Sequence, residues 1–304
     1  MSFKKILHKQ LKQVVGYSKK ITFPGFNKAS LYDVLKFLFD SIINGDILNR
    51  SASMAFSFFL ALFPAIIFLF SLIPYIPVDD FQANLLLQIQ LVLPGPAYVF
   101  AQQTIEELVT NSRLDLLSFG FLASIFFASN GVNAMIDNFN NSIHVVKRRS
   151  ILSMRLTSIY LIFMLGTLII ISIVLLLFGT KIISLLGSYD LIQPATKIML
   201  LFVNWIITIG FIYFSVSFFY YYGPNKRSRW RFLSAGSSLA TFLIISVSVI
   251  FGEYVNQFGT YNKIYGSIGA MMVILLWIYF NCVVLILGFE LNVSLKKVNS
   301  ITLN

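Results

Sequence analysis

Six stretches without a single charged residue set the limits on how this chain can fold. The last of them lies between Lys263 and Glu290 and reads IYGSIGAMMVILLWIYFNCVVLILGF. At a helical rise of about 1.5 Å per residue it is long enough to cross a bilayer. A simple anchor would have no use for Tyr279 and Asn281 near its middle. At about 100° per residue, Tyr265, Gly269, Tyr279 and Glu290 share one face, and Gly266, Ala270, Trp277, Asn281 and Gly288 share another. Small and polar side chains on two faces describe a helix packed against protein as well as lipid.

The five earlier runs are Ser51–Val78, Leu116–Ile136, Leu156–Thr180, Ile198–Asn225 and Phe232–Gly252. Only 12% of the residues are charged and the mean hydropathy is +0.80, against about 25% charged in soluble domains. The predicted fold is an all-α polytopic membrane bundle. Its six transmembrane helices lie near 51–78, 116–136, 156–180, 198–222, 232–252 and 264–289. Residues 81–105 are also uncharged, but Gln82, Gln88, Gln90, Gln102 and Gln103 are costly in lipid, and Pro94-Gly95-Pro96 breaks any helix. That region, 79–115, reads as an outer insert of short extracytoplasmic helices.

The distribution of cations tests this count. Of the 23 Lys and Arg residues, 19 fall before the first run, in the 147–155 and 226–231 loops, or after the sixth run. A seventh span at 81–105 would move the 147–155 cluster to the opposite side and destroy that asymmetry. By the positive-inside rule both termini are cytoplasmic and the protein is a multi-pass protein of the bacterial cytoplasmic membrane. The same clustering explains the net charge of +11 without nucleic acid, which is not an expected partner. Residues 1–50 form a basic tail and an amphipathic helix in which Leu31, Val34, Leu35, Leu38 and Ile42 repeat at helical spacing. The tail has no apolar core of the kind a cleaved signal peptide needs. Residues 51–292 form the membrane domain and 293–304 a cytoplasmic tail.

Polar residues inside the spans are the candidate functional groups. The second span ends SNGVNAMIDNFNNSIHV, placing Asn130, Asn133, Asp137, Asn141 and His144 near one helical face. These residues either solvate the helix end or line a polar vestibule entered from the cytoplasm. Glu290 either shares that vestibule or snorkels beside Lys296 and Lys297. In the first span, Pro64 is expected to bend the helix. The aromatic run Phe218–Tyr222 and the following GPNKRSRWR read as an interfacial belt and a positive loop. Arg149 and Arg155 of the 147–155 loop, with Arg229 and Arg231 of this one, are expected to attract lipid phosphates. With one cysteine, Cys282, and two histidines, His8 and His144, the chain has no disulfide framework and no metal-ligand cluster, and neither a metal nor a cofactor is expected.

Four segments resemble the YihY/BrkB family of bacterial inner-membrane proteins. ASMAFSFFLALFP resembles the alanine-rich first-span motif ending at Leu62, Phe63 and Pro64. SNGVNAMIDNFN is similar to the segment leading to Asn140, and YYYGPNKRSRWR to the motif carrying Pro224, Asn225, Trp230 and Arg231, followed by Gly236. The sixth-span signature is carried by Tyr265, Gly266, Ser267, Gly269, Trp277, Tyr279, Gly288, Glu290 and Asn292. Ser57, where the family often has an aromatic residue, and Gly223, inserted before Pro224, depart from the pattern. The resemblance spans roughly residues 30–295. It implies six spans, a discarded ribonuclease label, an association of one branch with serum resistance, and envelope lipid transport among suggested roles.

The expected function is a transporter or lipid translocator of the cell envelope. Asn130, Asn133, Asn140 and Tyr279 would contact the substrate, a lipid or small solute, with Asp137 and Glu290 coupling a cation or proton. Pro64, Gly266, Gly269, Trp277 and Gly288 would serve helix bending and packing. The alternative is a non-catalytic envelope scaffold that engages a partner through 79–115 or the basic tail. An enzyme is not expected: nuclease chemistry needs clustered carboxylates or histidines, and the acids here are scattered on both sides of the membrane.

Overall fold

The structure, a computed structural model, describes residues 30, 32, 36, 39, 43, 46–75, 86, 106–107, 111–142, 150–187, 194–225, 232–257 and 259–302, with backbone only for 176–187, 194–201, 255–257, 259–268, 270 and 298–302. The described residues form helices and turns with no strand. The six helices are α1 (Ile47–Leu72, continued by a 3-10 turn over Ile73–Tyr75), α2 (Leu114–Ser142), α3 (Ile151–Gly187), α4 (Pro194–Tyr222), α5 (Ala235–Gln257) and α6 (Gly259–Thr302). Each contains a segment long and apolar enough to cross a membrane. Helices exceed the charge-free runs because backbone hydrogen bonding does not stop where charge begins. α2 continues through Asp137 to Ser142, and α6 through Glu290, Lys296 and Lys297. α1 runs unbroken through Pro64, which is half-buried.

Most of the amphipathic helix over Leu31–Ile42 lies outside the described residues; Tyr32, Lys36, Phe39 and Ile43 are helical. The short helices of the 79–115 insert also lie outside them, apart from helical Leu86, Glu106 and Glu107.

The chain divides into two compact units. One comprises residues 1–51, 135–247 and 281–304, the other residues 52–134 and 248–280. The core of the first is aromatic. Phe139 of α2 stacks on Phe289 of α6 with ring centroids 4.2 Å apart, and Tyr220 of α4 meets both rings edge-on at 5.4 and 5.5 Å. Tyr220 donates its hydroxyl to the Leu285 carbonyl of α6 at 2.6 Å. Met135, Ile136, Cys282, Ile286 and Leu291 of the same unit are buried as well. Tyr220→Phe keeps the ring and deletes the hydrogen bond. It is expected to cost about 0.5–1.5 kcal/mol, read as a lower midpoint of thermal unfolding in detergent.

In the second unit α1 and α2 approach closely through glycines on one face of α2. A methyl at Gly120 would sit 3.0 Å from the Phe68 backbone nitrogen, and one at Gly131 would sit 2.7 Å from the Phe58 ring. Phe68 and Phe121 pack beside this approach, centroids 5.4 Å apart. Small residues at a crossing let dispersion contacts accumulate where no hydrophobic gain separates protein from lipid. The first ten residues of α6's membrane segment, Met271–Phe280, are mostly exposed, whereas Cys282–Leu295 are mostly buried. One helix thus has a lipid-facing half and a protein-embedded half.

Candidate functional site

The site is built from the first residues of α1 upward. Asp46 precedes α1 in the left-handed region at φ 52°, tolerated by Asp, and its side chain accepts from the Asn49 amide at 2.7 Å. This start places Arg50 in the first turn of α1 with its side chain only 14% exposed. The guanidinium is surrounded by acceptors. Nε donates to Asn138 Oδ1 at 3.2 Å, and Nη1 to Glu290 Oε1 at 3.3 Å. Nη2 donates to Ser142 Oγ at 2.7 Å and to the Asn138 carbonyl. Asn138 returns a bond from Nδ2 to the Arg50 carbonyl at 3.3 Å.

Glu290 is 5% exposed and is the carboxylate of this junction. The Ser142 hydroxyl donates to its Oε1 at 2.6 Å, the atom that also accepts from Arg50. The Asn138 carbonyl, 3.1 Å from Ser142 Oγ, is the alternative acceptor for that single proton. One turn on, Ser294 closes against the Glu290 carbonyl at 2.6 Å. An arginine, a glutamate, an amide and a hydroxyl from α1, α2 and α6 therefore satisfy one another within a single compact unit. Two charges removed from water survive together only when paired and hydrogen-bonded in this way.

A second set of polar contacts lies in the same unit. Asn140, 5% exposed, accepts from the Asn225 backbone N–H at 2.9 Å and so pins the Pro224-Asn225 turn that follows α4. Asn292 accepts from the Gly236 N–H at 2.8 Å and donates to Ser234 Oγ at 2.9 Å. Ser234 also caps α5, its Oγ accepting from the Ser237 N–H at 3.1 Å. Asn292→Ala would strand the Gly236 donor in a buried crossing. It is expected to cost about 1–3 kcal/mol, measurable by denaturant or thermal titration of the purified protein.

The sequence-derived candidates divide between the two units. Asp137, Asn140 and Glu290 belong to the first, and Asn130, Asn133 and Tyr279, all half-buried, to the second. Glu290 pairs with Arg50 within a buried junction, so it does not snorkel beside the exposed Lys296 and Lys297. Asp137 is half-buried, and the contacts of α2 with Glu290 come from Ser142 on another face. Arg155 is half-buried near the start of α3, while Arg149, Arg229 and Arg231 lie outside the described residues. Among the packing candidates, Gly269 and Gly288 are buried, Gly266 is helical, and Trp277 is 41% exposed on α6.

Sequence reasoning passed over Arg50, Asn138 and Ser142. Arg50 precedes the first uncharged run and so reads as one more cation of the basic N-terminal region. A signal existed: among the acids on the basic side, only Asp137 and Glu290 adjoin a span, and an arginine at a span boundary needs an opposite charge at its own depth. Asn138 and Ser142, four apart, share a helical stripe about 100° from Asp137.

Comparison with known proteins places the chain in context. A family model described as Virulence factor BrkB matches residues 38–302. A Bacillus subtilis protein named as ribonuclease-like, YfkH, is 33% identical over 253 residues, covering 82% of this chain and 90% of its own. A protein of Aliivibrio salmonicida named a UPF0761 membrane protein is 26% identical over 269 residues, covering 86% of this chain and 82% of its own. No solved structure matches.

Proposed function

The chain belongs to the BrkB virulence-factor family of membrane proteins, and on that premise we propose that it is a transporter of the bacterial cytoplasmic membrane, a translocator of lipid, with both termini in the cytoplasm. The observation that supports this reading is the buried Arg50–Glu290 pair. A well-packed apolar pair would hold three helices together as well or better, because burying ions carries a desolvation cost. Ionisable groups retained at the ends of apolar helices are accounted for by a task other than packing.

The geometry supports a specific task. The planar fork of Arg50 suits a phosphate as well as a carboxylate. A headgroup phosphate arriving at Arg50 would replace Glu290 Oε1, and the released carboxylate would loosen α6 from α1 and α2. The pair is then a latch with two arrangements, and the substrate itself biases which one is populated. The reading contains no catalytic step and no nucleic-acid partner.

Proteoliposomes loaded with fluorescent phospholipid and challenged with an impermeant quencher test this directly. Wild-type protein is expected to accelerate exchange between leaflets. The double variant Arg50→Met/Glu290→Met, which keeps the packing and removes both charges, is expected to fold and not to translocate. Translocation by that variant at the wild-type rate would overturn the reading. The scaffold alternative, in which the pair only joins helices, predicts the reverse: the double variant functions in cells and deletion of residues 1–28 abolishes function.

A further inference from the structure

A cavity of about 520 Å³ opens at the start of α3 and shares no lining residue with the Arg50–Glu290 junction. It is lined by the hydroxyl-bearing Ser150, Ser153 and Thr157 together with Leu152, Leu156, Tyr160 and Tyr222. The lining thus offers both hydrogen-bonding and apolar surface. Ser150 Oγ accepts from the Ser153 N–H at 3.3 Å, which leaves the Ser150 proton for an external acceptor. Thr157 gives its proton to the Ser153 carbonyl at 2.8 Å. Tyr160 and Tyr222 meet edge-to-face with centroids 5.8 Å apart, and Phe218 stacks on Tyr222.

The apolar surface does not stop at the cavity. Leu152, Leu156, Tyr160, Phe163 and Ile170 follow one another at three-, four- and seven-residue spacing and are all exposed, forming a stripe that leads along α3. The sequence flanking the lining residues is basic: Lys147-Arg148-Arg149 immediately precedes Ser150, and Lys226-Arg227 follows Tyr222 within five residues. A ligand with an anionic head, a hydroxyl-bonding middle and an aliphatic tail matches all three features. A soluble anion has no use for the stripe, and a zwitterionic lipid has less use for the cations.

We infer that the cleft formed by Ser150, Ser153, Thr157, Tyr160 and Tyr222 is a binding site for an anionic phospholipid, with its headgroup at Ser150 and one acyl chain along the Leu156–Phe163 stripe of α3. The inference extends the transport reading by naming the class of lipid, and it concerns binding, so it is measured without transport. The tyrosine pair sets the depth of the headgroup, since amphipathic rings settle where hydrocarbon meets water.

Native mass spectrometry of the full-length protein in detergent tests the site, with phosphatidylglycerol, phosphatidylcholine and inorganic phosphate as separate probes. Wild-type protein is expected to retain phosphatidylglycerol over phosphatidylcholine. Ser153→Trp, which fills the cleft, is expected to weaken that retention by about tenfold, equivalent to about 1.4 kcal/mol. Thr157→Phe provides a second obstruction should Ser153→Trp fail to fold, and Ile206→Trp, on the exposed face of α4, is expected to bind as wild type does. Equal retention of the two lipids, undiminished binding by both cleft variants, or displacement of phosphatidylglycerol by inorganic phosphate would each overturn the inference. Loss of leaflet exchange with lipid binding intact would count against the transport reading alone, and the converse against the cleft alone.

Discussion

Glu290→Ala is expected to destabilise the protein by about 3–5 kcal/mol, because it strands the Arg50 guanidinium in a buried site with its counter-charge removed. The stranded cation keeps Asn138 and Ser142 as neutral acceptors, and neutral dipoles do not replace a carboxylate. Arg50→Ala reverses the geometry with a similar cost, leaving Glu290 with the Ser142 hydroxyl. Arg50→Lys should recover little, since an ammonium cannot reach Asn138, Ser142 and Glu290 from one planar fork. Arg50→Met combined with Glu290→Met should recover most of the loss, because neither charge is left unpaired. A double-mutant cycle on thermal or denaturant midpoints isolates the coupling between positions 50 and 290. Additive single losses would show that the two side chains do not interact.

Gly236→Ala is expected to be at least as damaging, for a steric reason. A methyl built on Gly236 collides with the Gly288 carbonyl oxygen and lies 2.6 Å from Asn292 Cγ and Nδ2. A methyl on Gly288 would lie 2.5 Å from the Tyr220 hydroxyl and 2.7 Å from both Ala240 Cβ and the Gly236 carbonyl oxygen. The obstacles include backbone, which cannot rotate away as a side-chain tip can. Relieving the clash means separating α5 from α6, and that also breaks the Asn292 bonds to Gly236 and Ser234. Overpacking costs about 1–3 kcal/mol in a yielding core, and here a buried hydrogen-bond set is lost besides. Low yield of folded protein and a fall in unfolding midpoint are the measurements. Gly166→Ala is the control: nothing approaches within 4 Å of that position, so the exchange should be neutral or, by helix propensity, stabilising by up to about 1 kcal/mol.

Glycine and glutamate thus carry different burdens in the sixth-span signature. Gly288 and Asn292 set the α5–α6 crossing, where backbones come within reach of each other. Glu290, roughly on the opposite face of the same helix, forms the buried ion pair with Arg50. Asn140 and the Pro224-Asn225 turn likewise proved to be partners, joined by one side-chain to backbone bond. The residues carrying the family resemblance are therefore in part a contact set, and a sequence read in one dimension presents them as separate motifs.

The amino-acid sequence by itself determined the six membrane helices, because a bilayer imposes a length and a polarity that twenty-odd consecutive, predominantly apolar residues satisfy regardless of their neighbours. It argues against a span at 81–105, a stretch that apart from Leu86 lies outside the described residues, because glutamine and proline carry their cost wherever they sit. It singled out Glu290 for the same reason. It did not determine what Glu290 meets. Arg50 lies 240 residues away, and helical arithmetic orients a side chain only within its own helix. Which face of α2 meets α6, Ser142 and Asn138 or Asp137, depends on how far each helix is rotated about its axis. That rotation is decided by ring stacking at Phe139 and Phe289, the Tyr220 hydroxyl and the close approach at Gly236 and Gly288. Those contacts exist only once the helices are packed, so the tertiary structure alone decided which charges became partners.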